Sequence, residues 1–134
     1  METVNFITTE FGDDLIVSFA IPRGYPGECI SLTLLRTPKY ECFLEPHERG
    51  VNVSRNDLLE PQNITLEPQC NILEAIRWEG TTVRIATRKG RDYELDVRRV
   101  GDDEVREAKK VLGAMNADHA FKMEIIEPED GRGR

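Results

Sequence analysis

Apolar and polar residues alternate with a period of two along most of this chain, and the period lengthens to three or four in one stretch, after Gly101. Ile30, Leu32 and Leu34 are separated by Ser31 and Thr33, the pattern of a half-buried strand. Tyr93, Leu95 and Val97 alternate with Asp92, Glu94, Asp96 and Arg98, which is the cleanest example in the chain. Val83 and Ile85 alternate with Arg84 and Ala86, and turn signals stand at Glu79-Gly80 and Lys89-Gly90-Arg91. Residues 72–100 therefore read as a three-stranded meander. In its first strand Ile72, Ile76 and Trp78 share one face, with Leu73 and Ala75 opposite. Ile72, Leu73 and Ile76 also fit helical spacing, but the hairpin partner that follows favours the strand.

Leu15–Ile21 is a nearly continuous apolar run of strand length, rich in β-branched residues. A strand this apolar is expected to be central and covered on both faces. Val4–Ile7 reads as a short opening strand, Glu10–Asp13 as a turn and Pro22–Gly27 as a loop. Thr37-Pro38 ends the strand before it, because proline lacks a ladder donor. Tyr40–Leu44 is expected to resume as a strand, Pro46–Gly50 to turn, and Val51–Ser54 to extend again. Pro61 and Pro68 exclude a long helix over 55–71, where Ile64–Leu66 fits a strand of three.

After Gly101 the spacing of Val105, Ala108, Leu112 and Met115 makes one helical stripe. Asp102 is placed to cap the helix, Asp103 and Glu104 sit where its dipole favours anions, and Asn116 is a plausible stop. Phe121, Met123 and Ile125 alternate again and predict a final strand. The fold class is α+β: a mainly antiparallel sheet, largely meander, with one C-terminal helix packed on it and a short last strand. Four apolar residues on one helix cannot cover a whole sheet, so the most apolar strands call for a second sheet layer or a partner. The organisation is a single domain over 1–126 followed by a flexible polar tail, 127–134.

Composition narrows the function. The 134 residues carry 18 Lys+Arg and 25 Asp+Glu, a net charge of −7, which argues against general nucleic-acid binding. No apolar run approaches the ~20 residues of a membrane span, and no basic-then-apolar leader opens the chain. The charge is segregated: residues 81–101 sum to +3 through Arg84, Arg88, Lys89, Arg91, Arg98 and Arg99, on a remainder of −10. That basic hairpin, with Trp78 and Tyr93 nearby, could stack bases, or it could be a solvated face whose cations protect sheet edges. Cys29, Cys42 and Cys70 are odd in number and widely spaced, without a Cys-x-x-Cys pair. They read as reduced thiols in a cytoplasmic protein, with Cys42 and Cys70 packing as small hydrophobes.

Motifs for chemistry are scarce. His47, in Glu45-Pro46-His47-Glu48, has no second His or Cys at ligand spacing, so it reads as an exposed turn residue and no metal is expected. His119 follows the helix end, where it can meet the terminal carbonyls. Neither a nucleophile elbow nor a phosphate-cradling glycine loop occurs. The carboxylate pairs Asp13/Asp14 and Asp102/Asp103 fall at element boundaries and suit turns and caps. No cofactor and no catalysis are expected; an enzyme built around His47 and Arg36 is the weaker alternative.

Asp14-Leu15-Ile16-Val17-Ser18-Phe19-Ala20, then Leu32-Thr33-Leu34-Leu35-Arg36, resembles the opening of the immunity protein 10 family of bacterial toxin systems. In that family one strand ends near Gly-Phe-Ala and the next in Gln-Arg. Tyr40-Glu41 and Gly50-Val51 correspond to its later Tyr/Glu and Gly-containing strands. The resemblance covers about residues 14–54 and departs at Ser18 and Leu35, where the family has Gly and Gln. It implies a non-catalytic inhibitor that binds a cognate toxin. An acidic inhibitor suits a basic nuclease toxin through charge complementarity. The candidate contacts are Glu41, Glu45, Glu48, Asp57 and Glu60, with Tyr40 as an aromatic anchor. The alternative is a sheet-based homodimer of accessory or structural role.

Overall fold

The computed structural model describes residues 1–22, 29–55 and 71–126. Its elements are β1 (Glu2–Thr3), β2 (Phe6–Phe11), β3 (Leu15–Pro22), β4 (Cys29–Arg36), β5 (Asn52–Arg55), β6 (Leu73–Glu79), β7 (Thr82–Thr87), β8 (Tyr93–Asp96), α1 (Asp102–Met115) and β9 (Lys122–Ile126). The fold class is α+β, as the patterning indicates. The strands, however, form two sheets, ordered β1-β8-β7-β6-β9 and β2-β3-β4-β5. Asn56–Cys70, the stretch with the Ile64–Leu66 reading, and the 127–134 tail lie outside the described residues, as do Cys70, Asp57 and Glu60.

The second sheet supplies the cover that a single helix could not. Phe19 on β3 and Trp78 on β6 meet across the interior with ring centroids 6.4 Å apart. One core cluster takes side chains from both sheets and from α1. Each fully buried aliphatic or aromatic side chain in it contributes about 1.5–3 kcal/mol. The expected opening strand at Val4–Ile7 is instead where the chain changes sheets. Val4 N–H donates to Asp96 O at 2.9 Å, and the next residue, Asn5, donates to Ala20 O at 2.8 Å. Strand β2 then runs on through Glu10 and Phe11, so the turn begins at Gly12.

Several elements differ from their patterns. Strand β3 is interior to its sheet, but only one of its faces is fully buried: Leu15, Val17, Phe19 and Ile21 point to the core, while Ile16 and Ser18 are half-exposed. Tyr40–Leu44 does not resume a strand; Pro38–Phe43 forms a 3-10 helix, with Pro38 fixing φ at its start. Cys42 on it is exposed rather than packed. In β6 an irregularity between Leu73 and Ala75 changes the phase. Leu73 thus joins Ile76 and Trp78 in the core rather than facing away. Trp78 is 1% exposed and cannot stack on a base.

Helix α1 buries Ala108, Val111, Leu112 and Met115, and Val105 is only half-buried. Gly101, not Asp102, occupies its N-cap position, and Asn116 is the C-cap. The helix lies along the outer edge of β2, where Glu104 Oε1 accepts the Ile7 N–H at 2.9 Å. The final strand β9 pairs parallel with β6, and β1 pairs parallel with β8. A helix between β8 and β9 carries the chain back across the sheet, which makes the parallel pairing possible. No helix among the described residues is long and apolar enough to cross a membrane.

Candidate functional site: the loop after strand β4

Strand β4 ends on Arg36, a core-facing residue whose side chain is 7% exposed. A buried cation needs acceptors for all its donors. Arg36 has them: Nε and Nη2 donate to the two Glu41 carboxylate oxygens at 2.7 and 2.8 Å. Nη1 and Nη2 donate to the two Asp118 oxygens at 2.8 Å. Nη1 also donates to Met115 O at 2.6 Å, on the last turn of α1. All five N–H donors of the guanidinium are thus committed inside the protein. The hydrogen bonds to the carboxylates hold Arg36 above its ordinary pKa. Those bonds hold Glu41 and Asp118 below the usual carboxylate range, against the opposing effect of burial.

This cluster shapes the chain that follows. Glu41 must turn back to reach Arg36, five residues earlier, so 38–43 coils instead of extending. Glu41 Oε2 also accepts the Gly50 N–H at 3.2 Å, which closes the loop at its far end. Further ties hold the segment. Lys39 Nζ meets Asp13 at 3.0 Å, and Thr37 Oγ1 donates to Asp14 at 2.8 Å. Arg49 donates twice to Leu44 O, at 3.1 and 3.0 Å, and Arg88 Nη1 donates to His47 O at 2.6 Å. A second 3-10 helix, Pro46–Glu48, follows, with Glu48 Oε1 accepting the Glu45 N–H at 3.1 Å.

Among the side chains this framework presents to water are several large apolar ones, beside the exposed Lys39, Glu45, His47 and Arg49. Phe43 is 80% exposed and Tyr40 55%, with Leu44 and Cys42 beside them. Phe11, at the end of β2, is exposed too, and the Asp13–Lys39 pair brings the β2–β3 turn against the loop. The cations Lys39 and Lys110 lie over the Tyr40 and Phe11 rings, each 5.3 Å from the centroid. Exposed aromatics on a braced backbone lose little entropy on binding, which is what interface anchors require.

The residues singled out from sequence fare differently. Tyr40 is on the surface, as an anchor must be. Glu41 is not a surface contact: its carboxylate is 14% exposed and spent on Arg36. Glu45 is exposed and Glu48 half-exposed, both on the same loop. Phe43 and Leu44 were hidden by the strand reading of 40–44, although the bracketing prolines Pro38 and Pro46 are a signal against it. Asp118 lies 82 residues from Arg36, and nothing local to it signals the pairing.

The other candidates for chemistry disperse. His47 is exposed in its turn, and His119 sits at φ 58° with its backbone N–H donating to Asn116 O. Among the described residues no three His, Cys, Asp or Glu side chains group as metal ligands would. In the basic hairpin, Arg84 is paired with Glu94 at 2.8 Å and Arg98 with Asp96 at 3.0 Å. Two of the six cations are thus held in a cross-strand and a local ion pair, and Arg88 donates to His47 O. Compared with protein-family models, with curated proteins and with solved structures, the chain matches none of them.

Proposed function

We propose that this protein is a non-catalytic binding protein of the immunity type, which neutralises a cognate toxin by covering it with the loop after β4. The observation that carries the reading is the exposed Tyr40–Leu44 patch on a backbone fixed by Arg36, Glu41 and Gly50. Monomer surfaces that expose clustered aromatics without a partner are costly to keep soluble. Committing all five donors of Arg36 internally speaks for a scaffold rather than for substrate binding. The net charge of −7 suits a basic partner such as a nuclease domain. The resemblance over residues 14–54 points the same way.

The test is co-expression with any domain encoded next to this chain's gene that kills cells when expressed alone. Cells are expected to survive with the wild-type chain and to die with Phe43→Asp or with the double variant Tyr40→Ala, Phe43→Ala. In binding experiments Phe43→Asp is expected to raise Kd by about 100-fold or more, the scale of an interface anchor. Wild-type chain that fails to protect defeats the immunity reading. Full protection by Phe43→Asp removes the loop from it.

A further inference from the structure

Strand β9 is bonded on one side only, to β6, and closes the five-stranded sheet among the described residues. The other strand edges are blunted. Glu104 caps the edge of β2, with α1 beside it. Strand β5 is stitched to the chain before β6 by Val53 N–H to Asn71 O and Leu73 N–H to Val51 O, each 2.8 Å. Strand β1 is two residues long, and its Glu2 holds Arg55 at 2.6 Å. An edge with unpaired backbone groups is a template for another strand.

The register of β9 says which residues an added strand would meet. Met123 and Ile125 stand opposite Ile76 and Trp78, so they face the core side. Even so, Ile125 is 37% exposed, so the sandwich is open at this rim. Lys122, Glu124 and Ile126 stand opposite Ala75, Arg77 and Glu79 on the outer face.

We propose that a second copy of this chain covers the edge, the two β9 strands pairing antiparallel about a twofold axis through Met123. In that register Lys122 lies opposite the partner's Glu124, and the reverse, so both outer pairs are of opposite charge. On the core side Phe121, whose backbone N–H is already donated to Asn116 Oδ1 at 3.0 Å, lies opposite the partner's Ile125 by side chain, and Met123 meets its own copy with its backbone groups facing the free edge. A slip by one residue puts core-facing side chains opposite outer ones. An axis through Glu124 sets Glu124 against itself, and an axis through Ile125 sets Glu124 against Ile126. The axis through Met123 is the one that satisfies charge and burial together. Two five-stranded sheets then run on as one. This inference concerns an edge apart from the 38–48 loop and does not rest on the toxin-binding reading.

Five residues make a small interface, so the dimer is expected at a Kd of about 10–100 µM. Sedimentation equilibrium of the full chain, from about 5 to 500 µM, should show it. Lys122→Glu alone, or Glu124→Lys alone, sets like charges opposite each other twice and is expected to weaken self-association about tenfold. Mixed in equal amounts, the two variants are expected to pair as tightly as wild type, because each supplies the charge the other lacks. Met123→Cys, with the native cysteines replaced by Ser, is expected to cross-link into a covalent dimer under mild oxidation, since the axis brings both copies within disulfide reach. A wild-type chain that stays monomeric, a dimer indifferent to both charge changes, a mixture without rescue, or no cross-link overturns the proposal. So does loss of toxin protection by Lys122→Glu with sedimentation unchanged, which gives the edge to the toxin instead.

Discussion

Arg36, at the end of β4, ties the nearby loop at Glu41 to Met115 at the end of α1 and Asp118 just beyond it, 79 and 82 residues away in sequence. Removing it leaves Glu41 with an uncompensated, largely buried carboxylate. Breaking such a pair costs about 3–5 kcal/mol, and the lower figure applies because Asp118 is 60% exposed and screened. Arg36→Ala is therefore expected to lose about 3 kcal/mol in urea denaturation. Arg36→Lys is expected to recover little, because one ammonium cannot serve two carboxylates bidentately. Acid should act on the same bonds. Glu41 and Asp118 have depressed pKa values in the folded chain, so the unfolded chain takes up protons first as pH falls. Their contribution is full above the unfolded carboxylate values, about 4, and is lost as pH drops through the lower folded ones. Stability against pH is expected to fall steeply below about 4.5 in the wild type and less steeply in Arg36→Ala.

At the scale of elements, the loop between β4 and β5 depends on its closing residue. Gly50 has φ +122°, a conformation that side chains avoid, and a Cβ there would lie 3.1 Å from Ile72 Cγ2. Its N–H also completes the Glu41 cage. Gly50→Ala is expected to lower stability by about 1–3 kcal/mol, read as a drop in melting temperature. On the proposed reading it should also weaken toxin binding beyond that loss, because the Phe43 platform shifts with it. The edge of β2 illustrates the same dependence on a neighbour: Glu104→Ala is expected to cost about 1 kcal/mol by uncapping the Ile7 N–H, and faster amide exchange at Ile7 would report it.

Across the whole molecule, the proposed binding of a toxin would divide the work of recognition between charge and shape. The loop offers apolar anchors whose surrounding charges are partly paired, as Lys39 is with Asp13. On that proposal, the attraction to a basic partner comes from the −10 carried outside the basic hairpin of residues 81–101. Raising ionic strength should slow association and leave dissociation nearly unchanged. Stopped-flow binding to the proposed toxin partner is expected to show the association rate constant falling about tenfold or more between about 50 and 500 mM salt. Association that is indifferent to salt would mean that the net charge does not steer the encounter.

Periodicity by itself determined the meander of β6, β7 and β8, the α1 helix and the final strand, because alternation and helical stripes are local consequences of burying one face. It also determined that one helix could not cover the sheet. Local pattern could not say that the cover is a second sheet, since Val4 and Asn5 bond to different sheets with nothing in their identities to mark the switch. Nor could it say that 40–44 coils, because the force that coils it is Arg36 drawing Glu41 back. Of the contacts expected from sequence, Tyr40, Glu45 and Glu48 lie together on the loop after β4. The buried role of Glu41, the exposure of Phe43 and the part played by Asp118 were decided by contacts up to 82 residues apart, which only the folded chain brings within hydrogen-bond reach.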